Sequence, residues 1–597
     1  MPPCLSLLVA ALWMLAPAAA HAQQSETFRG AIEASLDAID RRAAEDLGDD
    51  AASRALAADA EEIVRQLGRW GGRRDGDLAV RAAETHRLLR LVSAAPAAER
   101  AGWHAWLRER DDLARTLAFA MTDADPPAGM VRTLGRLREA HGDATVAAYP
   151  SLVAALCVVH DGPRLHAVRI NENRAESAGP VPLFGYFTTN ERRLLFGLRD
   201  VPPELLVFVV DATGSVDELA WALERHGGDR SVGTRFFDIE YDYAHMRTGQ
   251  PKRVTVEGFT LPNIQRCGGV CADQAYYAAT VGKAIGVPTA YVTGRGGEEG
   301  HAWVGYLEAR GRSAAWNFDV GRYREYQGVQ GTLLDPQSGR RIGDDELALL
   351  GRLAQIRAPH RHEAAAWLDA AAALERSSTP SERSWPERGR QREPRAGRAG
   401  LLELAELGLR RNPGDRRGWA LVRRAVADAD MPMRDRVAWS QTIMRLCEQA
   451  GAEHFMVSLL QPMITSMPGG RERSGVWERV LDSVKTKKDL RARIRMIQAR
   501  DALGRGDRHA AFLAYQDVYR SYLNDTRESQ NAVFAAVSML EKAGKHQDAA
   551  QLLEDVLARV ERPISASTFS SHSNYARIRA FAAEYAQRHR VPIAGAG

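Results

Sequence analysis

Cysteine is scarce in this chain of 597 residues: the five are Cys4, Cys157, Cys267, Cys271 and Cys447. At this length that excludes a fold held together by a disulfide framework. Charge of one sign is scarce too. A formal net charge of +4 gives no electrostatic basis for nucleic acid or an anionic membrane as the main partner. Past the N-terminus no segment approaches the ~20 consecutive apolar residues of a membrane span, so no stable membrane insertion is expected. What is present is ordinary for globular protein: 45% apolar and 26% charged residues. The length exceeds what one hydrophobic core supports and predicts roughly three to four structural units.

The N-terminus reads as an export signal. Leu7 to Leu15 is apolar, Ala16 to Ala20 is small-residue and interrupted by Pro17, and Ala20-His21-Ala22 fits a small-x-small cleavage site. Met1 to Cys4 carries no Lys or Arg, a departure from the usual pattern. Residues 1–22 are therefore expected to be a cleaved signal peptide and the protein to be exported, periplasmic or extracellular. Cys4 precedes the apolar run and is badly placed for lipid attachment. Cys157 and Cys447 lie in apolar helical contexts and read as core residues.

The rest divides by pattern. Over 23–158, Ile32, Leu36 and Ile39, then Ile63, Val64 and Leu67, then Leu88, Leu89 and Val92 recur at helical spacing. Residues 159–345 change character. Leu205 to Val210 reads as a short strand, and Ser215 with Glu218 three residues on opens a helix. Cys271 to Ile285 reads as a helix ended by Gly286 with Pro288 beyond it, and Val287–Thr293, His301–Leu307 and Ala315–Val320 read as successive strands. A helix on an antiparallel sheet, an α+β unit, is the expected local architecture. A helical extension covers 346–376, and a linker rich in Pro and Arg covers 377–400, a solvated tether because Glu382, Glu387 and Glu393 interrupt its basic run. Residues 401–597 are helical again. Gly506-Asp507-Arg508-His509-Ala510-Ala511 and Gly544-Lys545-His546-Gln547-Asp548-Ala549 resemble each other at an offset of about 38 residues, the mark of a repeat array.

Chemistry concentrates in three pieces: Gln265 to Gln274, Gly300 to Val304, and Trp316 to Asp319. Cys271 begins its predicted helix, where unpaired N–H groups and the macrodipole favour a thiolate. Gly268 and Gly269 allow a sharp turn just before it. His301 opens a strand. A return through a turn near Arg310-Gly311 sets His301 opposite residue 319 or 320 and brings Asp319 beside the imidazole, with Asn317 on the same face as the alternative orienting group. Gln265 and the Cys271 backbone N–H are candidate donors to an oxyanion. Asp273 and Gln274 are expected to cap or line the helix start. Trp303, Trp316, Tyr276 and Tyr277 read as packing residues.

The order Cys, His, Asp on helix, strand and next strand resembles the transglutaminase-like superfamily, a branch of the papain-like cysteine enzymes. The matching pieces are Gly269-Val270-Cys271-Ala272-Asp273, Gly286-Val287-Pro288-Thr289-Ala290, His301-Ala302-Trp303-Val304 and Trp316-Asn317-Phe318-Asp319, within about residues 200–330. The resemblance implies a papain-like transglutaminase core, which the helical spacing flanks with N-terminal and C-terminal all-α regions, the latter tetratricopeptide-like by its repeat of about 38 residues. It makes Cys271 the nucleophile, His301 the acid and base, and Asp319 the orienter. The activity implied is a cysteine-dependent amide hydrolase or acyl transferase working on peptide or protein amides through a thioester. No acidic cluster suggests the calcium-switched cross-linkers, and no cofactor is expected. Two other readings stay open. Cys267 and Cys271 form a redox pair or, with His301, part of a zinc site, although a fourth ligand is not apparent. Alternatively the triad is a relic on a binding or scaffold protein whose C-terminal helices recognise a protein partner.

Overall fold

A computed structural model describes residues 18–70, 75–162, 167–296, 299–310, 313–323, 326, 329–377, 398–428, 430–562 and 573–596. The expected signal peptide lies outside these residues except for Ala18 to Ala22, which begin the helix Ala18–Asp46. The Pro/Arg linker also lies outside them, apart from its ends.

From Ala18–Asp46 to Pro150–Val159 the chain is a run of helices. Their spacing of apolar residues does what an amphipathic stripe must: Ile32, Leu36, Ile39, Ile63, Val64, Leu67, Leu88, Leu89 and Val92 are all buried. Cys157 and Cys447 are buried and free.

The segment Leu205 to Val210 corrects the sequence reading. It belongs to the helix Pro203–Val210 rather than to a strand. Six consecutive apolar residues carry no period that separates a strand from a helix buried on all sides. The preceding prolines decide the matter: Pro203 occupies the first helical position, where its missing N–H costs nothing, and the Pro202 carbonyl accepts from the amides of Leu205 and Leu206 at 3.0 Å each.

Among the described residues seven strands form two sheets. β1 (Ala167–Ile170) and β2 (Asn173–Glu176) form an antiparallel hairpin. β3 (Thr289–Gly296), β4 (Glu299–Arg310), β5 (Ser313–Asn317), β6 (Thr332–Leu334) and β7 (Arg341–Gly343) form one sheet in the order β5-β4-β3-β6-β7, with every neighbouring pair antiparallel. With its helices this is an α+β unit.

The helix Cys271–Ala284 is fastened to the start of β3. The Ala279 carbonyl accepts from Thr289 Oγ1 at 2.6 Å, and Lys283 Nζ donates to the carbonyls of Phe208 and Thr289 at 3.0 Å each while pairing with Asp211. Gly282 permits that approach, since a Cβ there would lie 2.3 Å from Thr289 Cγ2. The helix stops as expected at Gly286, whose φ of +80° only glycine adopts readily. The Gly286 amide donates to Lys283 and the Val287 amide to Gly282, the paired bonds of a Schellman ending. Ser215 and Glu218 form the expected reciprocal cap on the helix Val216–His226.

Beyond the sheet, the helix Ala358–Ser377 joins the N-terminal helices to those that follow. Arg87 makes a bidentate ion pair with Asp369 on it, at 2.5 and 2.6 Å, and Arg417 reaches the same carboxylate at 3.4 Å. One hydrophobic core runs continuously from Ile32 to Ile497, and a second occupies Ala492 to Ala596. In that second core the two similar sequence pieces have the same construction. Helix Lys488–Gly504 turns at Gly506 (φ +81°) into Arg508–Ser521, and Glu528–Lys542 turns at Gly544 (φ +71°) into His546–Arg559.

Candidate active site

The turn before Cys271 is set by two glycines. Gly268 ends the helix Leu261–Cys267 at φ +78°, and a Cβ there would lie 2.5 Å from the Glu240 carbonyl oxygen. The Gly269 amide donates to that carbonyl at 2.9 Å, and its own carbonyl accepts from Asp242 at 2.9 Å. Cys271 is then the first residue of its helix. Asp273, at the third position, caps it by accepting from the Val270 amide at 2.8 Å. Asp273 also holds a partner that the sequence reading missed. Lys252 Nζ lies 2.7 and 2.8 Å from its two carboxylate oxygens, and both side chains are 0% exposed. Burial pushes the Asp273 carboxyl up and the ammonium pulls it back, with a net rise. Glu172, in the β1–β2 turn, stands 3.5 Å from the same ammonium.

Cys271 is half-buried and its thiol is free, as is that of buried Cys267. Three backbone N–H groups, of Ala302, Ala272 and Cys271 itself, act on the sulfur in favour of thiolate. Burial outweighs them and raises the thiol above its ordinary range. The strand geometry explains why Ala302 takes part. The Leu307 amide donates to the Pro288 carbonyl at 2.9 Å, continuing the β3–β4 register by one pair. Alternation along an antiparallel ladder then turns the amides of Tyr306, Val304 and Ala302 away from β3. β5 covers Tyr306 through Asn317 and ends there. Ala302 therefore presents its N–H on the side of β4 away from β3, beyond the end of β5.

His301 lies on β4 opposite Gly294 and is buried. Its Nε2 is 2.6 Å from the Gly321 carbonyl oxygen. A carbonyl only accepts, so in the neutral ring Nε2 carries the proton and Nδ1 is the basic nitrogen. Tyr323 stacks on the ring at 4.5 Å between centroids and Tyr326 packs at 4.7 Å, with Phe236 edge-on at 6.5 Å. Burial drives the imidazole down to about 4, against the opposing pull of the Gly321 carbonyl.

The register expected around Asp319 is not the one found. β4 and β5 pair Tyr306 with Asn317 and Arg310 with Ser313, a count that sets His301 level with residue 322 instead of 319 or 320. Because side chains alternate, the odd offset also changes faces. His301 shares its face with Trp303, Gly305 and Leu307, and so with Trp316 opposite Leu307, while Asn317 lies on the other side. Asp319 is exposed, and its amide donates to Asn317 Oδ1 at 2.9 Å. The chain instead turns inward at Gly321 (φ +77°), where a Cβ would meet the Phe236 ring at 2.8 Å. The group on His301 Nε2 is thus a backbone carbonyl. Gln265 is half-buried on the helix Leu261–Cys267. The amide buried one turn beyond Cys271 is Gln274, which donates to the Ile239 carbonyl at 2.8 Å and leaves Oε1 without a partner.

Exposed apolar side chains occur in the segments leading to Cys271, and two of them, Phe237 and Tyr243, touch rings beside this centre. Phe237, Tyr243, Met246 and Val256 are 61%, 50%, 56% and 75% exposed, four of the few large apolar side chains so placed among the described residues. Phe237 packs on Phe236, and Tyr243 on Tyr241, a phenol close enough to Cys271 to feel its charge. Among the described residues no group of three or more His, Cys, Asp or Glu is arranged to hold a metal ion. No helix among them is long and apolar enough to cross a membrane. No family model, curated protein or solved structure matches this chain.

Proposed function

We propose that this chain is an exported cysteine-dependent amide hydrolase or acyl transferase of transglutaminase-like type, with a papain-like core, acting on peptide or protein amides. One observation carries the reading: Cys271 begins a helix that packs against the strand bearing His301, while His301 is held through Nε2 and keeps Nδ1 as its base. At rest both groups are uncharged, so the nucleophile is made at the moment of attack. Nδ1 takes the thiol proton as sulfur bonds to the amide carbon, and the oxyanion gains the Cys271 N–H. The Gly321 carbonyl stabilises the imidazolium. His301 then gives the proton to the leaving amine, and the C–N bond breaks to leave a thioester. Water attacks the thioester with His301 as base, returning acid and free thiol; an amine in place of water gives acyl transfer. Hydrolysis is the default because water is in excess. The exposed rings of Phe237 and Tyr243 suit a peptide chain carrying apolar side chains beside the scissile amide.

The test is amine release from a peptide mixture by the full chain and by Cys271→Ala. Release by the first and not the second supports the reading; equal traces from both sink it. One observation favours the rival of a binding or scaffold protein: the raised thiol and depressed imidazole are also what a packed, silent relic has. In that case the C-terminal helices would carry the partner, with Leu503 and Leu513 exposed on them.

A further inference from the structure

We infer that Arg322 is a positioning residue for His301, clamping the loop that holds the imidazole, with Asp344 as its counter-ion. Its kinetic consequence rests on the Cys271–His301 reading above; its structural consequence does not.

Between Asn317 and Thr332 the described residues form no strand or α-helix, yet this stretch supplies Gly321 to His301 Nε2 and stacks Tyr323 and Tyr326 on the ring. A segment without ladder bonds needs another source of rigidity, because each unfixed residue costs on the order of 1–2 kcal/mol to order. Arg322, between Gly321 and Tyr323, provides it. Its Nε donates to the Tyr326 carbonyl at 3.1 Å, Nη2 donates to the Val329 carbonyl, and Nη1 lies 3.4 Å from Asp344 Oδ2. The guanidinium carbon stands 4.9 Å from the centre of the Trp303 ring, two residues along β4 from His301. One planar group thus gathers the loop onto itself and lays it on the face of β4 that bears the imidazole. The fork and flat face are properties of arginine that lysine lacks.

Asp344 is a firm anchor. Its amide donates to the Gly331 carbonyl at 3.0 Å, and a Cβ on Gly331 would lie 2.6 Å from Asp344 Oδ2. The Arg322 and Asp344 side chains are 13% and 9% exposed, so the attraction is little screened. The neighbouring Asp345 accepts from Gln330 Nε2 at 2.8 Å and from Ser458 Oγ at 3.0 Å. Ser458 is on the helix Glu453–Thr465, so the clamp is braced from the C-terminal helices.

The test is nitrogen NMR of the full chain labelled in its histidines, with the His301 signals assigned by loss in His301→Ala, in wild type, Arg322→Met, Arg322→Lys and Asp344→Asn. Wild type should show the Nε2–H tautomer alone. Arg322→Met and Asp344→Asn should show both tautomers, with Arg322→Lys between. On the best amide substrate, kcat should fall in the order of ten- to a hundredfold in Arg322→Met while KM stays within about twofold. Asp344→Asn keeps the side-chain shape and serves where Arg322→Met does not fold. A single wild-type tautomer in both variants overturns the inference whatever the activity, and so does a mixed tautomer with unchanged kcat. If the wild type proves inactive on every amide, the tautomer decides alone.

Discussion

The Nε2 nitrogen of His301 stands 2.6 Å from the carbonyl oxygen of Gly321, the position that the sequence pattern reserves for a carboxylate. A carbonyl fixes the tautomer as well as an aspartate does, and stabilises the imidazolium with a dipole in place of a full charge. Asp319→Asn should therefore leave turnover within about twofold, far from the ~10⁴-fold loss that follows when a buried triad aspartate is neutralised. Gly321→Ala should cost at least an order of magnitude, because its Cβ meets Phe236. Steady-state rates of the two variants against wild type decide between carbonyl and carboxylate.

The raised thiol and depressed imidazole make a prediction about reactivity. Cys271 should alkylate slowly at pH 6–7 and accelerate only above the free-thiol range, about 8.5. The profile comes from iodoacetamide labelling followed by peptide mass analysis, pH by pH. A rate already at its plateau near pH 6 would establish a standing thiolate–imidazolium pair instead.

Lys252 and Asp273 form a fully buried ion pair at the head of the cysteine helix. Removing either charge alone leaves the other buried and unpaired, a loss of about 3–5 kcal/mol. Lys252→Met or Asp273→Leu alone should thus lower the melting temperature more than the two together. Additive losses in thermal unfolding would contradict this coupling.

Acid should destabilise the protein through its buried histidines. His301 and His86 are pushed down to about 4 and His362 to about 3, each by burial. Their folded values lie below the unfolded value of about 6.5, so the unfolded chain binds the extra protons. The stability they contribute is complete above about pH 6.5 and drains away as the pH falls toward 4 for His301 and His86 and toward 3 for His362. For His301 it is about 3 kcal/mol at most. Melting temperatures measured from pH 7.5 to 4 should fall through that window, and less steeply in His301→Gln.

Local patterns were readable where one residue type dictates one conformation. Gly286 before Pro288 ended the cysteine helix, Ser215 with Glu218 capped its neighbour, and the apolar spacing of the N-terminal helices marked their buried faces. The helix start at Cys271 and the strand that bears His301 followed from such signals. The expected place of Asp319 beside the imidazole did not, because register depends on the length of one hairpin turn. With Arg310 paired to Ser313 the count moves three residues past Asp319, and an odd shift puts Asn317 on the opposite face from His301. Lys252 gave no signal either, since a single lysine after Pro251 looks solvated until the fold brings Asp273 to it. Leu205 to Val210 failed for a third reason: burial on all sides erases the period that distinguishes helix from strand.

On the proposed reading, Cys271 forms a covalent acyl-enzyme with help from His301. The direct measurement is intact mass of the full chain quenched in acid seconds after mixing with a peptide amide. Wild type should carry an adduct of the acyl mass on Cys271, absent in Cys271→Ala and strongly reduced in His301→Ala. Substrate consumed by wild type and Cys271→Ala alike, with no adduct on the sulfur, would contradict it.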